Sequence, residues 1–313
     1  MNSRYLQKEP RNNQISNLTQ KQDLIIGFSF ATLSAACIGG TYLFSKVALS
    51  TTNTRSFISI WMLMGAVYVF AAAIIKRKLI FPQKRSIWLG LISLGLFEII
   101  SSSAFFTAIS LASQPAIVAF LARFTSLFGL IMSVIILKER MNLTALAGTV
   151  IILVGGFSLS YVSGTIGWTL LLLNIIMSIS VAASLIVGKV IIEETNPYMM
   201  LLFRNVITAI GTFLILPGPF EIPPLSTLGV MAVGAFIGPF LGFLFLYMAL
   251  DHIDAWMVSI FTMTQPLFVA LYDWAFLGSV LTWTQLLAGI VILLGTYLII
   301  RSSIRHALPP SGP

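Results

Sequence analysis

Ile131-Met132-Ser133-Val134-Ile135-Ile136-Leu137 and Ile290-Val291-Ile292-Leu293-Leu294 decide the architecture of this chain. Neither run alternates apolar with polar residues, as a barrel strand would over about 10 positions. Lipid cannot satisfy free backbone groups, so a chain that crosses it is helical or a closed barrel. The two runs therefore read as helix interiors. Outward from them, apolar stretches recur from Leu24 to Ile300, each near the roughly 20 residues that cross about 30 Å of hydrocarbon.

Composition agrees. Of 313 residues, 58% are hydrophobic and 9% charged, with a mean hydropathy of +0.97. A soluble domain carries about 25% charged residues, so this chain cannot solvate a globular surface. Ten spans are expected, at 24–48, 55–75, 86–110, 115–137, 143–161, 166–190, 197–216, 227–250, 255–277 and 283–301. Residues 1–22 lack the apolar core of a signal peptide and read as a solvated tail, as do residues 302–313. Cys37 is the single cysteine, which excludes an internal disulfide and a cysteine zinc cage.

The net charge of +8 sits in short loops rather than in a nucleic-acid-binding motif, so no nucleic-acid partner is expected. It reads as topology, because Lys and Arg accumulate on the cytoplasmic side. With the N-terminus inside, that side holds Lys76, Arg77, Lys78, Lys84, Arg85, Lys138, Arg140, Lys189, Arg301 and the tails. Both termini are then cytoplasmic.

The chain also matches itself. Ser45-Lys46-Val47 corresponds to Gly188-Lys189-Val190, Asn53 to Asn196 and Trp61 to Arg204. Gly90, Gly95 and Phe97 correspond to Gly229, Gly234 and Phe236, and Ser126-Leu127-Phe128 to Pro266-Leu267-Phe268. Ala147-Gly148 with Ile151 to Leu153 corresponds to Ala288-Gly289 with Ile292 to Leu294. The series is collinear and divides the chain into repeats at 23–161 and 165–301, five spans each. Five is odd, so the second repeat enters the membrane from the opposite side. The expected fold class is thus an all-α integral membrane protein, ten transmembrane helices in two inverted five-helix repeats. Such repeats place a binding site near mid-membrane, where the halves meet.

From these residues the chain resembles the drug/metabolite transporter superfamily, in its ten-span form with two EamA-type domains. The resemblance rests on the Lys46 and Lys189 span ends, Leu202-Phe203-Arg204, Ala249-Leu250 and Gln265-Pro266-Leu267-Phe268. It also rests on Leu137-Lys138-Glu139-Arg140 with Gly148 and Ile151 to Gly155 beyond it. It covers about Leu24 to Ile300 and implies a bacterial inner-membrane exporter of metabolites, amino acids or drugs. Trp61 stands where the family often has arginine, Lys138 where it has glycine, and Ser279-Val280 where it has Glu-Arg.

Charge inside hydrocarbon costs about 2.5 kcal/mol or more per group, so ionisable residues there are candidates for function. Glu98 lies about 18 Å from either end of the third span, and Arg123 about 12 Å from one end of the fourth. A Glu98–Arg123 ion pair is expected if the helix rotations agree, with Glu98 the candidate for proton coupling. The alternative is a neutral carboxyl bonded to Ser101, Ser102 or a carbonyl. Arg204, about 10 Å inside its span, suits a substrate carboxylate, or a purely structural tie to carbonyls. Lys46 reads as a helix-end or gating contact and Lys189 as an anchor, and Asp273 is a candidate partner for Lys46 or Arg123, with a solvated rim position as the alternative. Trp61, Tyr42, Asn174, Tyr247 and Gln265 form the uncharged polar set. Gly238, Pro239, Gly242 and Pro266 interrupt spans at mid-membrane and are hinge candidates. Phe105, Phe106, Phe120, Phe124, Phe236 and Phe240 are candidates for an apolar wall.

Catalytic constellations are missing from the sequence. No mid-membrane histidine exists to activate a serine, and no phosphate-binding glycine loop precedes Lys-Ser/Thr. His252, between Asp251 and Asp254, reads as a solvated cap. The expectation is a secondary carrier, not an enzyme, without cofactor or metal, working on a small-molecule substrate amid membrane lipid. An uncoupled facilitator or a lipid-like flippase is the alternative on the same scaffold. No oligomeric state follows from the sequence.

Overall fold

The computed structural model describes residues 13–111, 118, 121–160, 167–277 and 283–307. Residues 1–12, 112–117 and 308–313, Phe120 and Ser279-Val280 lie outside the described residues, as does the side chain of Asp273. Ten helices are described: α1 Asn13–Leu49, α2 Thr54–Ile75, α3 Arg85–Leu111, α4 Phe124–Ile136 and α5 Leu143–Ser160, then α6 Trp168–Ile191, α7 Pro197–Ile215, α8 Leu225–His252, α9 over 255–277 and α10 Trp283–Ala307. Eight are long and apolar enough to cross a membrane; α4 and α5 are shorter apolar helices. The chain is a multi-pass membrane protein. α1 begins before its expected span and α10 continues past Arg301, so parts of both expected tails are helical.

Local chemistry sets the helix starts. The Asn53 side chain accepts the Ser56 N–H at 2.9 Å, and Asn196, its repeat counterpart, accepts those of Tyr198 and Met199 at 3.1 and 3.2 Å. An asparagine before the first turn satisfies amides that no carbonyl of the helix can reach. Pro197 follows, at a position where its missing N–H costs nothing.

The packing obeys the repeat. α3 lies on α6 as α8 lies on α1, and α4 lies on α6 as α9 lies on α1. α2 with α7, α4 with α9 and α5 with α10 pair counterpart against counterpart. These pairs run antiparallel. Arg55 at the start of α2 donates to the Phe213 and Gly218 carbonyls at the end of α7. Ser302 of α10 bonds Asn142, just before α5, at 2.7 Å. Gly27, early in α1, lies against Ile253, while Lys189 at the end of α6 reaches the Ile253 carbonyl. The two five-helix repeats are therefore inverted.

α5 and α10 approach most closely through small residues: a Cβ on Gly148 would lie 2.9 Å from the Gly295 carbonyl, and one on Gly295 2.7 Å from that of Gly148. In lipid, where apolar surface alone does not drive association, such contact is what dispersion between helices requires. We call the membrane face at which α1 begins the N face. It carries the connections α2–α3, α4–α5, α6–α7 and α8–α9. The other is the far face.

Candidate functional site

Where the halves meet, a cavity of about 210 Å³ opens between α1, α2, α3, α4, α6, α8 and α9. Its wall combines hydroxyls (Thr41, Ser45, Ser101, Ser102, Thr125, Ser126, Ser184, Ser259, Thr262) with Trp61, Phe105, Phe106, Tyr42 and Tyr247, and with Glu98, Arg123 and Gln265. The α1 and α3 residues among these lie towards the far face. On the N-face side Phe28, Leu250, Trp256, Ile260 and Phe261, all at most 4% exposed, pack in one apolar cluster.

Glu98 stands in this wall at 8% exposure. Its Oε1 accepts the Ser102 hydroxyl at 2.7 Å and its Oε2 accepts that of Ser101 at 3.3 Å. Arg204 Nη2 lies 2.7 Å from Oε2, off the line of a good N–H···O bond, so the attraction is chiefly that of opposite charges. Arg204 also donates through Nη1 to Asn205 Oδ1 at 2.9 Å, and its guanidinium sits 3.6 Å above the Phe243 ring.

This corrects the pairing expected from the sequence. Glu98 pairs with Arg204 and not with Arg123. The reason is helix rotation. Gly95 and Ile99 of α3 pack on Ile207 and Gly211 of α7, which turns position 98 towards α7. Arg123 instead directs Nη2 to the Tyr42 hydroxyl at 3.2 Å, within the cavity wall. Arg204, at 1% exposure, lies behind Glu98 and outside the lining, so it presents no fork to a substrate in this state.

Trp61, the counterpart of Arg204, also points at the opposing repeat. Its ring lies over Gly234 of α8, where a Cβ would come within 2.2 Å, and against Phe57 at 4.9 Å between centroids. One half thus carries an ion pair where the other carries stacked rings. Tyr247 and Gln265 line the cavity as the sequence suggested. Asn174 does not: it is buried in α6, donates to the Leu170 carbonyl at 2.9 Å, and leaves Oδ1 unpaired. Lys46 is exposed and outside the lining. Phe124 packs on Phe157 and Phe240 on Tyr68, away from the wall, and Phe236 is largely exposed.

The hinge candidates fall at real interruptions. Residues Phe236–Gly242 form a π-helical turn holding Gly238, Pro239 and Gly242. π-turns inside helices concentrate at functional sites. Carbonyls within it are taken by other helices: Asn205 Nδ2 donates to Pro239 at 3.1 Å and Ser34 to Gly242 at 2.8 Å. α9 narrows to a 3₁₀ turn at Thr262–Thr264, after which Gln265 and Pro266 open a fresh α-helical segment. A turn at Ala122-Arg123, just before α4, occupies the matching place in the first repeat. The broken segments touch, with Ser126 Oγ 2.6 Å from Thr262 Oγ1.

Sequence reading missed Asn205, although an asparagine beside an arginine in an apolar span was a signal. It also treated Lys189 as a surface anchor. Lys189 Nζ donates to the Leu250 and Ile253 carbonyls at 2.7 and 2.8 Å, at the end of α8. Glu139 was noted only as part of a motif. Its two oxygens accept the Ala255 and Trp256 N–H groups, each at 2.9 Å, at the start of α9. Burial pushes the Glu139 carboxyl above its ordinary value of 4.5, against the lowering effect of those two amides. His252 lies 3.4 Å from Asp23 of α1, and among the described residues no cluster of metal ligands forms.

A profile of the EamA-like transporter family matches residues 25–161 and 168–301, one copy for each repeat. An uncharacterized transporter of Haemophilus influenzae (strain ATCC 51907 / DSM 11121 / KW20 / Rd) is 26% identical over 137 residues, 43% of this chain and 44% of that protein. The match thus spans less than half the length of that relative. A solved crystal structure covers 89% of this chain and 98% of its own at a TM-score of 0.74 and 20% identity, a likeness of fold. With both repeats matched across most of its length, this chain belongs to the EamA-like transporter family and fits the drug/metabolite transporter superfamily it resembles.

Proposed function

We propose that the protein is a secondary active exporter that moves small metabolites, amino acids or drug-like compounds by alternating access, with Glu98 carrying the coupling proton. The observation that supports this most is the position of Glu98, a carboxylate in the wall of the cavity between two inverted halves with its countercharge, Arg204, sealed behind it. Protonation of Glu98 leaves Arg204 a buried cation without a countercharge, a costly arrangement in a low dielectric. That cost gives the proton a means of biasing one packing of the halves over another, which is what coupling requires. The hydroxyl-rich wall suits a hydrogen-bonding solute, and Arg123 in the same wall favours one with a carboxylate.

The orientation we infer puts the N face and both termini in the cytoplasm and the protein in the inner membrane. It rests on the Lys and Arg residues of the N-face loops. A second reading is an uncoupled facilitator or lipid-like flippase, favoured by the fact that Glu98 and Arg204 already neutralise each other. Screening metabolites for export from overproducing cells, then measuring uptake into proteoliposomes with and without an imposed pH gradient, separates the two. A gradient that accelerates flux in the parent but not in Glu98→Gln supports coupling; equal flux in both removes it.

A further inference from the structure

Two side chains act on one turn of the N face. The α8–α9 turn lies between a helix end and a helix start, so it exposes carbonyls on one side and amides on the other. Lys189 of α6 takes the carbonyls of Leu250 and Ile253. Glu139, from the α4–α5 connection of the other repeat, takes the amides of Ala255 and Trp256. Neither tie is local: Glu139 stands 116 and 117 residues from its partners and Lys189 61 and 64 from its own. Leu250 and Trp256, on either side of the turn, are buried in the apolar cluster of the N-face side.

The arrangement is one-sided. The counterpart of Lys189 is Lys46, which is exposed, and at the counterpart of the Glu139-Arg140 pair the sequence has Ser279-Val280. On the far face, towards which the α1 and α3 wall of the cavity lies, the position matching Glu139 therefore carries Ser279 in place of an acid. We propose that Glu139 and Lys189 are the gate of the N face, closed in this conformation and released when the carrier opens to that side. The proposal rests on the alternating-access reading above. Both are positioning residues: each acts on the α8–α9 turn and neither touches the cavity.

The test uses full-length protein with Cys37→Ser and a reporter cysteine at Ser184 in the cavity wall. Sealed vesicles of each orientation receive a membrane-impermeant thiol reagent, so that each face is probed alone. Expected is labelling mainly from the far face in the parent. Glu139→Ala and Lys189→Met raise N-face labelling on the order of tenfold, the effect of removing a bias near 1.4 kcal/mol. Lys189→Arg, which keeps the donor, and Asn142→Ala, which disturbs the neighbouring α5 start without touching the turn, stay at the parental ratio. Should Glu139→Ala not fold, Glu139→Gln keeps one acceptor and gives an intermediate rise. Unchanged ratios in the gate variants of a parent that labels in the cavity overturn the gate alone. A parent labelled from neither face overturns the carrier reading beneath it.

Discussion

Arg204 Nη2 stands 2.7 Å from Glu98 Oε2, whereas the residue matching Arg204 in the first repeat is Trp61, whose ring covers Gly234. The fold is two-fold symmetric in its packing and asymmetric in its charge. Each consequence below follows from one side of that asymmetry.

Removing the cation alone strands a carboxylate in the protein interior. Arg204→Met is expected to lower stability by about 3–5 kcal/mol, the cost of breaking a buried pair by deleting one partner. Glu98→Gln combined with Arg204→Met recovers most of that loss, because no uncompensated charge remains. Thermal unfolding in detergent of the two single variants and the double variant checks this. A double variant no better than Arg204→Met alone contradicts it.

The mirror-image change is expected to fail. Trp61→Arg places a guanidinium among Phe57, Phe106 and Gly234, an aromatic and apolar setting. Yield of folded protein and melting temperature both drop, and by more than in Trp61→Phe, which leaves a cavity but keeps an aromatic ring on Phe57.

The π-turn depends on donors from other helices. Asn205→Ala removes the hydrogen bond to the Pro239 carbonyl and the acceptor of Arg204 Nη1 and costs about 1–3 kcal/mol. Its effect on transport exceeds that of Thr149→Ala, whose hydroxyl has no partner to lose. Flux measured at equal protein density distinguishes the two.

Glu139 sets a pH dependence of stability. Burial raises its carboxyl in the folded protein above 4.5, so the folded state holds its proton more tightly than the unfolded chain. The resulting stability is fully present below pH 4.5 and is lost as the pH rises through the elevated folded value. Melting curves of the parent against Glu139→Gln should therefore show the parent's relative advantage greatest in acid and shrinking as pH rises from 4.5. A difference that grows with pH contradicts this assignment.

Spans, repeat and inversion were legible because each is written in long runs: hydropathy marks the helices, and the Asn53/Asn196 and Gly95/Gly234 matches survive in sequence. Depth within a span was also legible, which is why Glu98, Arg123, Tyr247 and Gln265 were recognised and do line the cavity. Rotation was not. Whether position 98 faces α4 or α7 depends on how Gly95 and Gly211 let α3 and α7 interlock, a property of two surfaces that no single-helix pattern encodes. Glu139 and Lys189 were misjudged for a related reason. Lysine at a span end satisfies the topology rule whatever it touches, and only the fold brings the α8–α9 turn to it.

The central claim is that two inverted halves expose one cavity to alternate sides. Spin labels on cysteines at Arg140 and Asp251 report the N face, and labels at Ser50 and Trp168 report the far face, all at exposed positions in a Cys37→Ser background. Double electron–electron resonance in nanodiscs across a mildly acidic to mildly alkaline pH series measures both distances. The account predicts two populations for each pair, shifting in opposite senses so that one face widens as the other closes. A single unchanging distance in each pair, or two faces widening together, contradicts it.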